Sequence, residues 1–201
     1  MTTAYVFTWD VEESGGYETA WVDRDETRGP SVLYPGAGDG LLRARGRAMG
    51  TVPRPYWLDY ELETGPGYVT RRLRVKLETA GEVRELDLQR GAGGRWTANG
   101  ETVAGVDGAL DCDLGLCPIT NTMPVLRHGL QLNPGEQDFL MAWVSVPDLV
   151  VRPSRQTYTH LGAVEGGGVA IRYAAGDYRS DVVFDADGFV IDYPGMARRL
   201  A

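Results

Sequence analysis

Residues 56–62 read Tyr56-Trp57-Leu58-Asp59-Tyr60-Glu61-Leu62, with large apolar side chains at every even position and acidic side chains at 59 and 61. A period of two sends alternate side chains to opposite faces of a β-strand. The sequence therefore predicts a mainly β protein. The same alternation recurs at Tyr5-Phe7-Trp9, Ala44-Gly46-Ala48, Leu73-Val75-Leu77, Leu86-Leu88, Leu110-Cys112-Leu114, Phe139-Met141-Trp143, Val169-Ile171-Tyr173, Val182-Phe184 and Phe189-Ile191-Tyr193.

Turn residues separate these segments, and one segment interrupts the strand pattern. Asn99-Gly100 predicts a type I′ hairpin turn, and 185–188 predicts a second turn. Within 118–129, Thr122 and Pro124 suit a helix start, while Gly129 suits the left-handed residue that ends a helix. We therefore expect a short helical segment beside the sheet.

A sheet of about a dozen antiparallel strands cannot remain flat, because strand twist accumulates across it. We therefore expect a curved sheet, whose inner space is either filled by its own side chains or left for a ligand. The aromatic residues expected to point inward are Trp9, Trp57, Tyr60, Trp96, Trp143, Tyr158 and Tyr173.

Charge and hydropathy narrow the classes of partner. The 201 residues carry a net charge of -8, which argues against nucleic acid and against an anionic membrane surface as partners. No apolar run approaches the ~20 residues of a membrane-spanning helix, and the start of the chain lacks the pattern of an export signal. We expect a single domain over residues 1–201, located in the cytoplasm.

The small numbers of cysteine and histidine residues argue against a metal site. The two cysteines, Cys112 and Cys117, are interpreted as reduced structural thiols rather than a disulfide or a metal site. With two histidines, His128 and His160, a three-histidine metal site is impossible, and a mixed site with an aspartate has no supporting spacing. We expect no metal and no cofactor.

Three spaced motifs carry a family resemblance. Residues 110–127, which read LDCDLGLCPITNTMPVLR, resemble the central motif of a bacterial family of glycolipid-binding domains of unknown function. That motif runs Leu-Asp-x-Asp-Leu, a spacer, Pro-x-Thr-Asn-Thr-Leu-Pro and a basic residue. Residues 146–149 with 156–159, and residues 184–195, match further pieces in the same order. The resemblance covers about residues 107–197 well and the N-terminal half more loosely.

The resemblance implies a fold similar to the periplasmic lipoprotein carriers. In these carriers an incomplete, strongly curved antiparallel β-barrel holds a short helical segment and an apolar groove on its concave side. We expect a non-catalytic protein that binds a hydrophobic small molecule, such as a lipid or glycolipid, as a monomer or dimer. Unlike the carriers, this chain is expected to have no export signal.

The candidate ligand-binding residues combine aromatic rings with polar groups, as a glycolipid requires. They are Trp57, Tyr60, Asp111, Asp113, Asn121, Arg127, Trp143, Gln156, Tyr158 and His160. Structural alternatives remain open for several. Asp111 and Asp113 could form the solvated side of a strand, Asn121 could satisfy backbone groups at a helix start, and Arg127 could pair with an aspartate.

Two other classes of function remain open. Asp111 and Asp113 could act as the acid and base of a small hydrolase on a lipid-linked or sugar substrate. The Cα atoms of residues two apart on a strand are separated by about 6.5–7 Å, a spacing that does not exclude such a pair. The Gly-x-Ser-x-Gly motif of a serine hydrolase is absent from the sequence. Alternatively, a filled barrel could serve as a protein-interaction module through an exposed aromatic face.

Overall fold

The computed structural model describes residues 1–25 and 40–201. In these residues, fifteen strands form one sheet, accompanied by the α-helix α1 (Thr122–His128). The strands are β1 (Thr2–Val11), β2 (Gly16–Asp25), β3 (Leu41–Gly50), β4 (Tyr56–Thr64), β5 (Thr70–Thr79), β6 (Glu82–Arg90), β7 (Trp96–Ala98), β8 (Glu101–Thr102), β9 (Asp111–Leu114), β10 (Glu136–Val144), β11 (Val151–Ala163), β12 (Val169–Ala175), β13 (Tyr178–Phe184), β14 (Val190–Tyr193) and β15 (Ala197–Arg199). Short 3-10 turns cover Glu12–Ser14, Pro66–Tyr68 and Pro118–Asn121.

The sheet is built from two meanders that meet in its middle. Its order is β8-β7-β6-β5-β4-β3-β2-β1-β15-β14-β13-β12-β11-β10-β9, so β1 pairs with β15. The predicted mainly β fold, with one large, curved and unclosed sheet, is confirmed. One departure from the antiparallel prediction is β9, which pairs parallel with β10. The chain between these strands passes through α1, a crossover of the kind that parallel neighbours require.

The edge strand β9 returns to the other half of the sheet and nearly closes it. The Thr70 amide donates to the Leu110 carbonyl at 3.0 Å, and the Cys112 amide donates to Thr70 Oγ1 at 3.1 Å. We call this contact the β5–β9 seam. Because of it, every residue of β9 is buried although the strand lies at an edge of the sheet.

The alternation seen in the sequence separates the two faces of the sheet. In β4, Tyr56, Leu58, Tyr60 and Leu62 are buried, and the residues between them are exposed. The prediction that Trp57 points inward is wrong, since its side chain lies on the outer face and is 65% exposed. A residue that follows Tyr56 and precedes Leu58 must face away from both.

The predicted helical segment lies on the concave side of the sheet. Its core-facing residues Met123, Val125 and Leu126 are all buried, so α1 fills much of the inner space. The helix ends at Gly129, which has φ 63° and ψ 29°, as the sequence predicts. The predicted hairpin turn is also present, with positive φ at Asn99 and Gly100.

Gly46 is required because the inner face of β3 must accept the ring of Tyr60. A methyl group added at Gly46 would lie 2.2 Å from Tyr60 Cζ. We therefore expect Gly46→Ala to lower the free energy of unfolding by about 1–3 kcal/mol, the usual cost of overpacking. Urea denaturation checks this, with Gly93→Ala as the glycine control, since a methyl group there meets open space and the backbone does not have the positive φ that strains alanine. Equal losses in both variants would contradict the packing argument.

Candidate functional site

A groove of about 670 Å³ opens at one end of the curved sheet. The connections 11–16, 50–56, 144–151 and 193–197 lie at this end, which we call the mouth end. The groove walls carry a mixture of aromatic and aliphatic side chains. The larger apolar ones are Leu116, Trp143, Val146, Tyr173, Tyr193 and Met196. Asp113 and Asn121 also line the groove, so it joins apolar walls to polar groups.

Asp113 is held by two hydrogen bonds in a buried environment. Gln156 Nε2 donates to its Oδ2 at 2.6 Å, and Thr120 Oγ1 donates to its Oδ1 at 3.1 Å. Burial raises the pKa of the Asp113 carboxyl, and the two hydrogen bonds oppose that rise. The alternative in which Asp111 and Asp113 form a solvated strand face is wrong, because both are buried.

Asn121 and Tyr158 extend this polar group into a chain of hydrogen bonds. Asn121 Nδ2 donates to the Tyr158 hydroxyl at 3.0 Å, and that hydroxyl lies 3.5 Å from Gln156 Oε1. Gln156 in turn donates to Asp113. Asn121 is the N-cap residue of α1, but its side chain makes no capping hydrogen bond, so the alternative in which that side chain satisfies the helix start is wrong. The two ends of the chain, Asn121 and Asp113, both line the groove.

Aromatic rings connect the groove to the barrel interior. Tyr158 packs edge-on against Phe139, with ring centroids 5.4 Å apart, and against Tyr173 at 5.5 Å. Tyr173 also contacts Tyr193 at 5.8 Å and Tyr178 at 5.9 Å. Such pairs stabilise a fixed arrangement of rings beyond the effect of burial alone. The rings of Tyr173, Tyr178 and Tyr193 therefore give the groove a preformed wall.

Asp111 and Arg127 form an ion pair deep in the interior. Arg127 Nη1 donates to Asp111 Oδ2 at 2.6 Å, and Nη2 donates to Oδ1. The guanidinium also donates to the Gly67 carbonyl at 2.9 Å and to the Tyr68 carbonyl at 3.2 Å. Both side chains are at most 1% exposed. The ion pair joins α1 to β9 and to the 66–68 turn, which is the structural alternative considered for Arg127.

Tyr60 lies on the inner face of the sheet and forms a hydrogen bond with the carboxyl group of Glu18, a residue that the sequence analysis did not identify as a candidate. Its hydroxyl donates to Glu18 Oε1 at 2.5 Å, and Glu18 is fully buried. Burial raises the pKa of Glu18 to about 8, although Tyr60 and the Ile119 amide, both hydrogen-bonded to it, oppose the rise. Glu18 Oε2 has no hydrogen-bond partner within residues 1–25 and 40–201. The signal was available, because Glu18 shares its strand face with Ala20 and Val22.

The remaining candidates lie apart from the groove. His160 Nδ1 lies 2.7 Å from the Leu130 carbonyl, beside a register shift in β11 and away from the mouth end. Trp57 lies on the outer face. The structure thus brings Asp113, Asn121 and Trp143 to the groove wall and places Gln156 and Tyr158 behind it.

The described part of the chain has neither a metal-binding cluster nor a membrane-spanning helix. There, no three His, Cys, Asp or Glu side chains come together in a group that could hold a metal ion. Cys112 and Cys117 are both buried as free thiols. Over the same residues, no helix has the length and apolar character needed to cross a membrane.

Comparisons with known proteins relate this chain to two solved structures and to one family. A crystal structure of a DUF1089 family protein from Pseudomonas aeruginosa is similar, with 27% sequence identity and a TM-score of 0.67. The alignment covers 90% of this chain and 92% of that one. A β-barrel-like protein of the DUF1849 domain from Brucella abortus is 11% identical, with a TM-score of 0.46 over 98% of this chain and 93% of that one. No match was found among proteins with curated functional descriptions. The match to a family description spans residues 6–199, and the chain therefore belongs to the family described as "Putative glycolipid-binding".

Proposed function

We propose that this protein binds a lipid or glycolipid, without chemical conversion, in the groove at the mouth end. The observation that carries the proposal is the combination of apolar and aromatic walls with the polar ends of one hydrogen-bonded chain, Asp113 and Asn121. A groove of about 670 Å³ is in the size range of small-molecule sites. The family description agrees with this class of ligand.

The two parts of the groove suit the two parts of a glycolipid. Trp143, Val146 and Met196 offer apolar surface to an acyl chain. Asp113 and Asn121 offer hydrogen-bonding groups to hydroxyls, and their own partners hold them in position. The ring of Tyr178, which lines the groove and is 47% exposed, suits the flat apolar side of a sugar ring.

The same geometry favours binding over hydrolysis. An Asp111 and Asp113 acid–base pair would need both carboxyls directed at one bond of the substrate. Both oxygens of Asp111 instead accept hydrogen bonds from Arg127, and Asp111 is 1% exposed. Of these two aspartates, only Asp113 lines the groove.

We expect Trp143→Ala to weaken lipid retention by about tenfold or more, because it removes a large apolar side chain from the groove wall. Native mass spectrometry of purified protein, followed by organic extraction and lipid analysis, measures the retained ligand directly. Trp21→Ala is the matched control, since Trp21 is 45% exposed on the outer face and lies away from the mouth groove. The control is expected to retain lipid like the wild type.

Two results would contradict the proposal. One is a wild-type protein that purifies without an adduct and takes up no added lipid or glycolipid. The other is retention in Trp143→Ala equal to that of the wild type, which would place binding outside the groove.

A further inference from the structure

We propose that the mouth end docks on the surface of a lipid bilayer with zwitterionic headgroups. This proposal rests on the proposed function, because it names where the groove would obtain its lipid. The contact surface is an apolar row of four outer-face residues, which we call the mouth row. Its members are Tyr17, Met49, Trp57 and Val83.

Strand register aligns the mouth row across the sheet. Tyr17 pairs with Met49, Met49 with Trp57, Trp57 with Glu78, and Glu78 with Val83. Neighbouring strands are about 4.8 Å apart, so a row across five strands is about 19 Å long. Trp57 is 65% exposed and Val83 58%, which is far more than core packing would leave uncovered.

The mouth row differs from the outer positions of β3 and β4 that lie farther from the mouth. Farther from the mouth, outer positions of β3, β4 and β5 are charged and paired across strands. Arg47 bonds Asp59 at 2.6 Å, and Arg74 bonds Glu61 at 2.7 Å. In β3 and β4 the change from ion pairs to apolar side chains coincides with the end at which the groove opens, whereas Glu78 of β5 keeps an ion pair with Lys76 at this end. Clustered exposed apolar residues with a polar border are typical of interaction sites.

The apolar surface continues from the mouth row into the groove. The 50–56 connection joins the strands that carry Met49 and Trp57. Within it, Val52 is 54% exposed and, with Pro53, lines the groove. On the opposite wall Tyr178 is 47% exposed. A lipid leaving a bilayer in contact with this end would meet apolar side chains along its path.

Side-chain types and charges favour a zwitterionic bilayer as the occupant. Trp and Tyr have an apolar body and a polar tip, and they concentrate at membrane interfaces. Two basic residues at this end are engaged in ion pairs, Arg54 with Asp148 and Arg84 with Glu82 and Asp148. The net charge of -8 opposes an anionic surface. Uncharged overall, a phosphatidylcholine surface carries no such penalty.

The test uses the whole protein with phosphatidylcholine vesicles. We expect wild-type protein to sediment with the vesicles and the double variant Trp57→Ser/Val83→Ser to bind at least about tenfold more weakly, since two large apolar contacts are lost. The matched control is Val6→Ser/Trp21→Ser, a register pair that is also exposed on the outer face but lies away from the mouth. This control is expected to bind like the wild type.

A second measurement separates docking from ligand binding. Uptake of a short-chain phosphatidylcholine below its micelle concentration, read by native mass spectrometry, needs the groove but no bilayer. We expect the mouth-row variant to keep this uptake and Trp143→Ala to lose it. If the wild-type protein takes up the lipid but does not bind vesicles, docking is overturned and lipid binding in the groove still stands. If the wild-type protein neither takes up the lipid nor binds vesicles, both proposals are overturned. A third outcome would also overturn docking. If the wild type elutes as a dimer in gel filtration, and the mouth-row variant is a monomer that still binds vesicles like the wild type, the mouth row is the contact with a second copy of the chain.

Discussion

Replacing Arg127 with leucine is expected to lower the free energy of unfolding by about 3–5 kcal/mol, the usual cost of removing one partner of a buried ion pair. The variant leaves the Asp111 carboxylate without its bidentate donor in the interior. It also removes the donors to the carbonyls of Gly67 and Tyr68. Because these bonds tie α1 to the wall of the sheet, the loss is expected to affect global unfolding. Urea denaturation followed by circular dichroism measures it.

Two variants show whether the charge left behind, rather than the lost side chain, causes this destabilisation. Asp111→Leu/Arg127→Leu removes both charges and is expected to be more stable than Arg127→Leu alone. Arg172→Leu breaks a partly exposed pair with Asp181 and is expected to cost about 1 kcal/mol or less. An Arg127→Leu variant as stable as Arg172→Leu would show that the buried pair contributes little.

Glu18 is expected to make the protein less stable as the pH rises. Its pKa is raised from 4.5 to about 8 in the folded protein, so the folded state holds this proton over a range where the unfolded state releases it. Its contribution to stability is therefore fully present below pH 4.5 and is lost as the pH rises through 8. Three other titratable groups, Tyr56, Tyr60 and Cys117, interact with the charge of Glu18, and Glu13 interacts in turn with Tyr56.

Glu18→Gln isolates this effect because glutamine cannot ionise. We expect the stability of Glu18→Gln relative to wild type to increase by several kcal/mol across this pH interval, since each unit of pKa shift corresponds to about 1.4 kcal/mol. The introduced amide adds a cost that does not depend on pH. Urea unfolding at pH 5, 7 and 9 measures the difference, and Glu61→Gln, an exposed glutamate on the outer face, is the control. A difference that stays constant with pH would show that Glu18 has an ordinary pKa.

Much of this architecture follows from short-range sequence patterns. The alternation at 56–62 predicts which side chains of β4 are buried, and Thr122, Pro124 and Gly129 predict the helix. Both depend on local geometry, in which a period of two or a left-handed glycine has a direct structural meaning. The prediction that Trp57 points inward rests on the tendency of aromatic residues to be buried, although the alternation of its own strand places it outside.

The partners of the polar residues could not be predicted in the same way. Arg127 meets Asp111 because the crossover through α1 places the helix over β9, and Tyr60 meets Glu18 across 42 residues of sequence. Asp113, Gln156 and Asn121 come together from three separate elements. These contacts depend on how the sheet curves, which no local pattern specifies. The residues predicted to bind a ligand therefore include both groove residues and structural residues, and the sequence does not distinguish the two kinds.

The β5–β9 seam gives this protein a built-in chemical reporter. The Cys112 thiol lies behind the contact with Thr70, is fully buried, and has a pKa raised to about 12 by that burial. Thiol reagents react with the thiolate, so an intact seam suppresses alkylation both by blocking access and by keeping the sulfur protonated. The alkylation rate of Cys112 therefore measures how often the sheet edge opens, a local fluctuation that global unfolding experiments do not resolve.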